Sequence, residues 1–64
     1  MEEKSIKELV DKMINMLEDC VDDAIKFDNG IKVAGTRVRK VMQEIKVTAQ
    51  KVRETVSEIK NAGN

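Results

Sequence analysis

The feature that most constrains the fold is a seven-residue repeat between Asn29 and Asn61. Two columns recur in it at alternating spacings of four and three residues. The first column is β-branched and comprises Ile31, Val38, Ile45, Val52 and Ile59. The second comprises Gly35, Met42, Ala49 and Val56. This is the a/d pattern of a coiled coil, with Ile31 at a d position, so the segment is predicted to form one long helix with a packed seam.

A line of bases runs beside this seam. Every e position of the repeat holds a base, and these bases are Lys32, Arg39, Lys46, Arg53 and Lys60. In an antiparallel pair of helices, e positions face e positions, and Asp28 is the one acid that the first half of the chain offers there. The bases therefore form either an open cationic ridge or a surface that pairs with acids of a second subunit. The sequence leaves both alternatives open.

The first half of the chain predicts a second amphipathic helix. Ser5 followed by Glu8 has the spacing of a capping box, which marks a helix start. An a/d seam follows, made of Ile6, Val10, Met13, Leu17, Cys20, Ala24 and Phe27. Leu9, Ile14, Met16 and Val21 widen it on both flanks. One neighbouring helix cannot cover an apolar arc of this width, so the pattern predicts self-association.

The sequence Asp28-Asn29-Gly30 predicts the turn between the two helices, since Gly tolerates positive φ. So short a connection makes the helices fold back antiparallel. We therefore expect an all-α chain with a single domain, residues 1–64: helix 1 at about 3–27, a turn at 28–31 and helix 2 at about 32–61. Gly35, inside helix 2, is expected where another backbone approaches closely.

A core of 64 residues rarely supplies more than about 3–5 kcal/mol of stability, so the hairpin is expected to pair into a coiled-coil-like four-helix bundle, most simply a homodimer. The expected oligomer interface comprises Leu9, Met13, Met16, Leu17, Val21, Gly35, Val38, Met42, Ile45, Ala49 and Val52.

Charge is distributed unevenly along the chain. Residues 1–30 carry four bases and nine acids, and residues 31–64 carry eight bases and three acids. In an antiparallel hairpin, the acidic end of helix 1 would lie beside the basic start of helix 2. This arrangement predicts salt bridges between the two helices and one basic face.

Several classes of function find little support in the composition. The chain has no His and a single Cys, Cys20, which is expected to be a buried structural thiol, and no Ser/His/Asp set or phosphate loop can be assembled. We therefore expect no enzyme, metal, cofactor or small-molecule substrate. No apolar run is long enough to span a membrane and no signal-peptide pattern opens the chain, so a soluble intracellular protein is expected.

Around the turn the sequence resembles the bacterial linker-histone-like family, of the chlamydial histone-like protein type. The matching positions are Gly30, Lys32, Ala34, Gly35, Thr36, Arg37, Arg39 and Lys40. The resemblance covers the helical head of that family. It implies a nucleoid-associated, chromatin-type protein that binds DNA, with Lys32, Arg37, Arg39 and Lys40 as candidate contacts.

Two functions are therefore predicted as alternatives. The first is architectural, weak and non-sequence-specific DNA binding through phosphates. Its candidate residues are Lys32, Arg37, Arg39, Lys40, Lys46 and Arg53. The second is a coiled-coil oligomerisation or adaptor module that binds protein partners and no nucleic acid. The two differ in whether the basic ridge stays open in the oligomer.

Overall fold

The computed structural model of the chain describes residues 5–62, and two α-helices account for nearly all of them. Helix α1 spans Ile6–Asp28 and helix α2 spans Lys32–Ala62, and they pack against each other along their lengths as an antiparallel hairpin. No strand occurs among these residues. The predicted all-α helical hairpin is confirmed. The molecule is a rod with extents of 52 × 19 × 14 Å.

Helix α1 begins with the predicted capping box. The Ser5 Oγ accepts a hydrogen bond from the Glu8 backbone N–H at 3.1 Å, and the Glu8 Oε1 accepts one from the Ser5 N–H at 3.0 Å. Ser5 is extended, with φ −71° and ψ 162°, and α1 begins at Ile6. The expected helix start at about residue 3 lies outside the described part of the chain, which excludes residues 1–4.

The turn between the helices is a Schellman motif centred on Gly30. The Gly30 N–H donates to the Phe27 carbonyl and the Ile31 N–H donates to the Lys26 carbonyl, both at 3.0 Å. Gly30 has φ of 97°, in the left-handed region that side chains disfavour, which explains why Gly is needed there. The next helix begins two residues later at Lys32, and this spacing makes the chain reverse.

The stripe along which the helices meet differs from the predicted a/d seam. On α2, the buried residues are Ala34, Thr48 and Thr55, which occupy the g column. The middle of the d column, which includes Ile45, is half-buried beside them, whereas Ile31 and Ile59 at its ends are exposed. From the a column, Met42 is exposed. The intramolecular seam of α2 is therefore d/g, and the a column lies at its edge.

Helix α1 is also rotated about its axis relative to the predicted seam. Leu9, expected to flank the seam, is buried with 4% of its surface exposed, whereas Val10 and Leu17 of the predicted seam are 37% and 46% exposed. The physical reason is that small side chains in the g column let α1 approach α2 closely. The d column has the apolar a column on one side and the small side chains of the g column on the other. The heptad pattern alone therefore does not show which of these two columns packs against α1.

Gly35 does provide a close approach, but to a side chain rather than to the expected backbone. A Cβ at Gly35 would lie 2.7 Å from both Cδ1 and Cε1 of Phe27, so the ring occupies the space that any larger residue would need. Cys20 is buried and carries a free thiol, as predicted. The buried Thr48 hydroxyl donates to the Glu44 carbonyl at 2.9 Å, which satisfies it within its own helix.

Candidate nucleic-acid interface

Four of the predicted contact residues form a line along α2, and we call this line the basic ridge. Its members are Lys32, Arg39, Lys46 and Arg53, and all four are exposed. Residues seven apart lie about 10.5 Å apart along a helix, so the ridge is about 31 Å long. This length corresponds to about nine base pairs of duplex, at about 3.4 Å per base pair.

Among residues 5–62 the ridge makes no ion pair. The ion pairs within that range join Lys7 to Asp11 at 2.8 Å and Arg37 to Asp23 at 3.0 Å. At the turn end, Asp28 is an acid of α1 that lies near Lys32 and Arg39, and it forms no ion pair with either base. The hairpin thus leaves the four ridge bases without an ion-pair partner among residues 5–62.

Arg37 and Lys40 lie on a different side of α2 from the ridge. Arg37 precedes Arg39 by two residues, which places it about 200° around the helix from Arg39. Lys40 follows Arg39 by one residue and lies about 100° from it. Both are exposed, but Arg37 is engaged by Asp23 through its Nε and Nη2 atoms. The structure therefore does not bring all six predicted contact residues onto one surface.

The Arg37–Asp23 ion pair is a salt bridge of the kind predicted between the two helices. The hydrogen bond from Arg37, with its positive charge, holds the pKa of Asp23 below its ordinary value of 3.8, against a smaller opposing effect of partial burial. The same contact raises the pKa of Arg37. Arg37 is thus fixed to α1, and a phosphate would have to compete with a carboxylate for it.

An exposed apolar face extends across both helices on the side of the hairpin that the basic ridge borders. The angular position of each residue around its helix can be measured from the line where the two helices meet. In an antiparallel pair, residues with angles of the same sign on the two helices lie on the same side of the hairpin. We define the apolar face by its large exposed members, Val10, Ile14, Leu17, Val21, Met42 and Val56. The smaller Gly35 and Ala49 belong to the same column of α2 as Met42. The Arg37–Asp23 pair lies on the opposite side.

At the turn end, the apolar face deepens into a groove that sequence reasoning missed. Its apolar lining includes Ala24, Phe27 and Val38, and its charged lining residues are Asp28, Lys32 and Arg39. The signal in the sequence was the pairing of the lone aromatic residue with a Gly near the turn, but no local rule places a ring over a residue eight positions away. The groove brings apolar surface and two ridge bases together.

The residues predicted for an oligomer interface fall into three groups. Leu17, Val21 and Met42 are exposed on the apolar face, and Leu9 is buried inside the hairpin. The remaining members are half-buried, namely Met13, Met16, Gly35, Val38, Ile45, Ala49 and Val52. The surface that the hairpin itself leaves uncovered is therefore formed mainly by the exposed group.

Residues 5–62 lack the features of both a membrane span and a metal centre. Neither helix there has a stretch that is both apolar and long enough to cross a lipid bilayer. Within the same range, no three His, Cys, Asp or Glu side chains converge as a metal ion would require.

A two-helix rod with an open line of bases and an uncovered apolar face defines a structural, interaction-type helical module. A family model described as histone H1-like protein Hc1 matches residues 7–62, and the chain belongs to this family. The family consists of structural DNA-binding proteins rather than enzymes, and it suggests a nucleic-acid-binding architectural role for the chain. Neither the curated proteins nor the solved structures contain a match to the chain.

Proposed function

We propose that this chain is an architectural protein that binds duplex DNA without sequence preference, by contacting phosphates through the basic ridge of α2. The observation that carries the proposal is the alignment of Lys32, Arg39, Lys46 and Arg53 along one exposed line that forms no ion pair with any carboxylate of residues 5–62. The histone H1-like family supports the same class of function.

Phosphate contact suits this surface better than base contact. Long Lys and Arg side chains on a straight helix neutralise charge along a backbone, but they carry no base code unless the helix enters a groove in a fixed register. Phe27, the lone aromatic residue, lies over Gly35 instead of along the ridge, so stacking on bases is not supported. The expected binding is weak, sensitive to salt and independent of sequence.

The proposal includes self-association of the hairpin into a four-helix bundle through the apolar face. Val21 is 52% exposed and Leu17 is 46% exposed, on the same side of the hairpin as Met42 at 42%. A contiguous apolar surface of this kind on a small protein is typical of an interaction site. Pairing two hairpins would double the number of ridges per particle, and multivalency would raise the affinity for a polymer such as DNA.

A matched pair of charge-reversal variants tests the DNA-binding proposal. We expect R39E/R53E to abolish binding to a short duplex in fluorescence anisotropy at low salt. The control K12E/K51E makes the same change in net charge on exposed residues outside the ridge and should bind nearly as well as the wild type. R39K/R53K should retain binding, because a phosphate accepts either base.

Circular dichroism and sedimentation of each variant show whether helicity and assembly are intact. Equal loss of binding in the ridge and control variants would mean that net charge alone, and not the ridge, determines the affinity. Absence of binding by the wild-type chain to any duplex at low salt would refute the proposal and favour the adaptor interpretation, in which the ridge pairs with an acidic protein surface.

A further inference from the structure

The apolar face can receive a second copy of the chain in two symmetric ways. A two-fold axis parallel to the helices places α1 of each copy along α2 of the other. A two-fold axis perpendicular to the helices places α1 along α1 and α2 along α2. Both arrangements cover the same side chains, so the distribution of charge on the helices has to decide between them.

The two helices carry opposite charge. Helix α1 has three bases and seven acids, a net charge of −4, and helix α2 has eight bases and three acids, a net charge of +5. The basic ridge borders the apolar face, so the perpendicular axis would bring the two ridges side by side. The parallel axis instead keeps the two ridges apart, on diagonal α2 helices, and sets helices of opposite net charge side by side.

We propose that a second copy of this chain covers the apolar face with its two-fold axis parallel to the helices, so that each α1 packs on the α2 of the other copy. Helices of opposite net charge then lie side by side at both intermolecular contacts, and the repulsion between ridges is avoided. The proposal rests on the self-association described above and specifies its partner and geometry.

This geometry fixes which residues meet. Rotation about an axis parallel to the helices does not change the position of a residue along the helix axis, which we call its height. Two residues at the same height in one hairpin are therefore also at the same height when they belong to different copies. The Asp23–Arg37 pair and the Phe27–Gly35 contact calibrate that height. On this scale Val21 lies within about 5 Å of the height of Met42 in the other copy.

The arrangement also places the two basic ridges on opposite sides of the dimer. Each ridge lies on the outer flank of an α2, and the two α2 helices are diagonal in the bundle. The dimer therefore offers phosphate-binding lines to two separate duplexes. The perpendicular arrangement would merge both ridges into one band for a single duplex.

Cysteine cross-linking distinguishes the two arrangements in the absence of nucleic acid. Variants V21C and M42C are made in a C20A background, which removes the buried native thiol, and circular dichroism checks that each is folded. Both positions are exposed in the hairpin. A short bis-maleimide is added to each variant alone and to an equimolar mixture of the two after exchange of subunits.

We expect a covalent dimer in the mixture and little in either variant alone, because Val21 faces Met42 of the other copy while like helices lie diagonally. Cross-linking of either variant alone at least as strongly as the mixture would overturn the proposal in favour of the perpendicular axis. Absence of cross-links throughout would also overturn it. The experiment contains no DNA, so its failure leaves the ridge proposal standing, and failure of DNA binding leaves the dimer geometry standing.

Discussion

The ring of Phe27 fills the space above Gly35, and a Cβ on residue 35 would lie 2.7 Å from two of its carbon atoms. This contact joins the end of α1 to the start of α2 just beyond the turn. Phe27 remains 50% exposed, so the ring has solvent on one side and can be displaced in that direction. Gly at position 35 therefore lowers the helix propensity of α2 but leaves room for the Phe27 ring to pack against the backbone.

A double-mutant cycle measures that exchange. Replacing Gly by Ala inside a helix gains up to about 1 kcal/mol in propensity, and in an F27A background G35A should realise that gain. In the presence of Phe27, G35A should stabilise less, because the new methyl group displaces the ring. Chemical unfolding of the four proteins gives the coupling. An equal gain in both backgrounds would contradict the ring contact.

The Arg37–Asp23 ion pair makes a pH-dependent contribution to stability. The pKa of Asp23 is lowered in the folded chain by the hydrogen bond from Arg37, so the contribution is present at pH values above the ordinary carboxyl value of 3.8. It is lost as pH falls through the lowered pKa of the folded state. We expect the wild type to melt at a higher temperature than D23N at neutral pH, with a difference that shrinks under strong acid and in high salt.

Asp19 supplies the control for this comparison, because it is exposed and forms no ion pair among residues 5–62. D19N should leave the melting temperature at neutral pH nearly unchanged. If D23N melts at the same temperature as the wild type under neutral, low-salt conditions, the ion pair does not contribute to stability.

The observed seam predicts different consequences for two Leu to Ala changes on α1. Leu9 is 4% exposed, so L9A should leave a cavity and cost about 2–5 kcal/mol, enough to unfold a hairpin of this size at any protein concentration. Leu17 is 46% exposed in the hairpin, so L17A should mainly weaken self-association. Circular dichroism melts over a range of concentrations separate the two effects. Equal and concentration-independent losses would indicate that both side chains are buried in the same seam.

The sequence predicted best the features that depend on short segments. The capping box at Ser5 and the turn at Gly30 arise from residues within a few positions of each other, so their chemistry determines their geometry. The helical repeat likewise predicted two helices. The choice between a d/a and a d/g seam depends on how two complete helix surfaces fit together. Thr48, a polar residue, is buried because that fit favours small side chains.

The sequence identified the basic residues of the candidate site but not which of them pair with acids in the folded hairpin. The heptad identified the line that contains Arg39 and Arg53, and this line is exposed. The seven-residue spacing excludes Arg37 from that line, but it did not predict that the packed hairpin would pair Arg37 with Asp23. The pairing of a particular acid with a particular base depends on how each helix is rotated about its own axis. The sequence pattern does not determine whether the a or the g column of α2 faces α1, so it does not determine that rotation.

The central claim, that the basic ridge contacts phosphates, is tested most directly by the salt dependence of duplex binding. Four ridge contacts per protomer predict a log–log slope of the binding constant of about −3.6, since each neutralised phosphate contributes about −0.9. Fluorescence anisotropy from roughly 50 to 200 mM salt should therefore show about a 100-fold loss of affinity for one engaged ridge. R53Q should make the slope shallower by about 0.9. A wild-type slope near zero, or a slope that R53Q leaves unchanged, would contradict phosphate binding by the ridge.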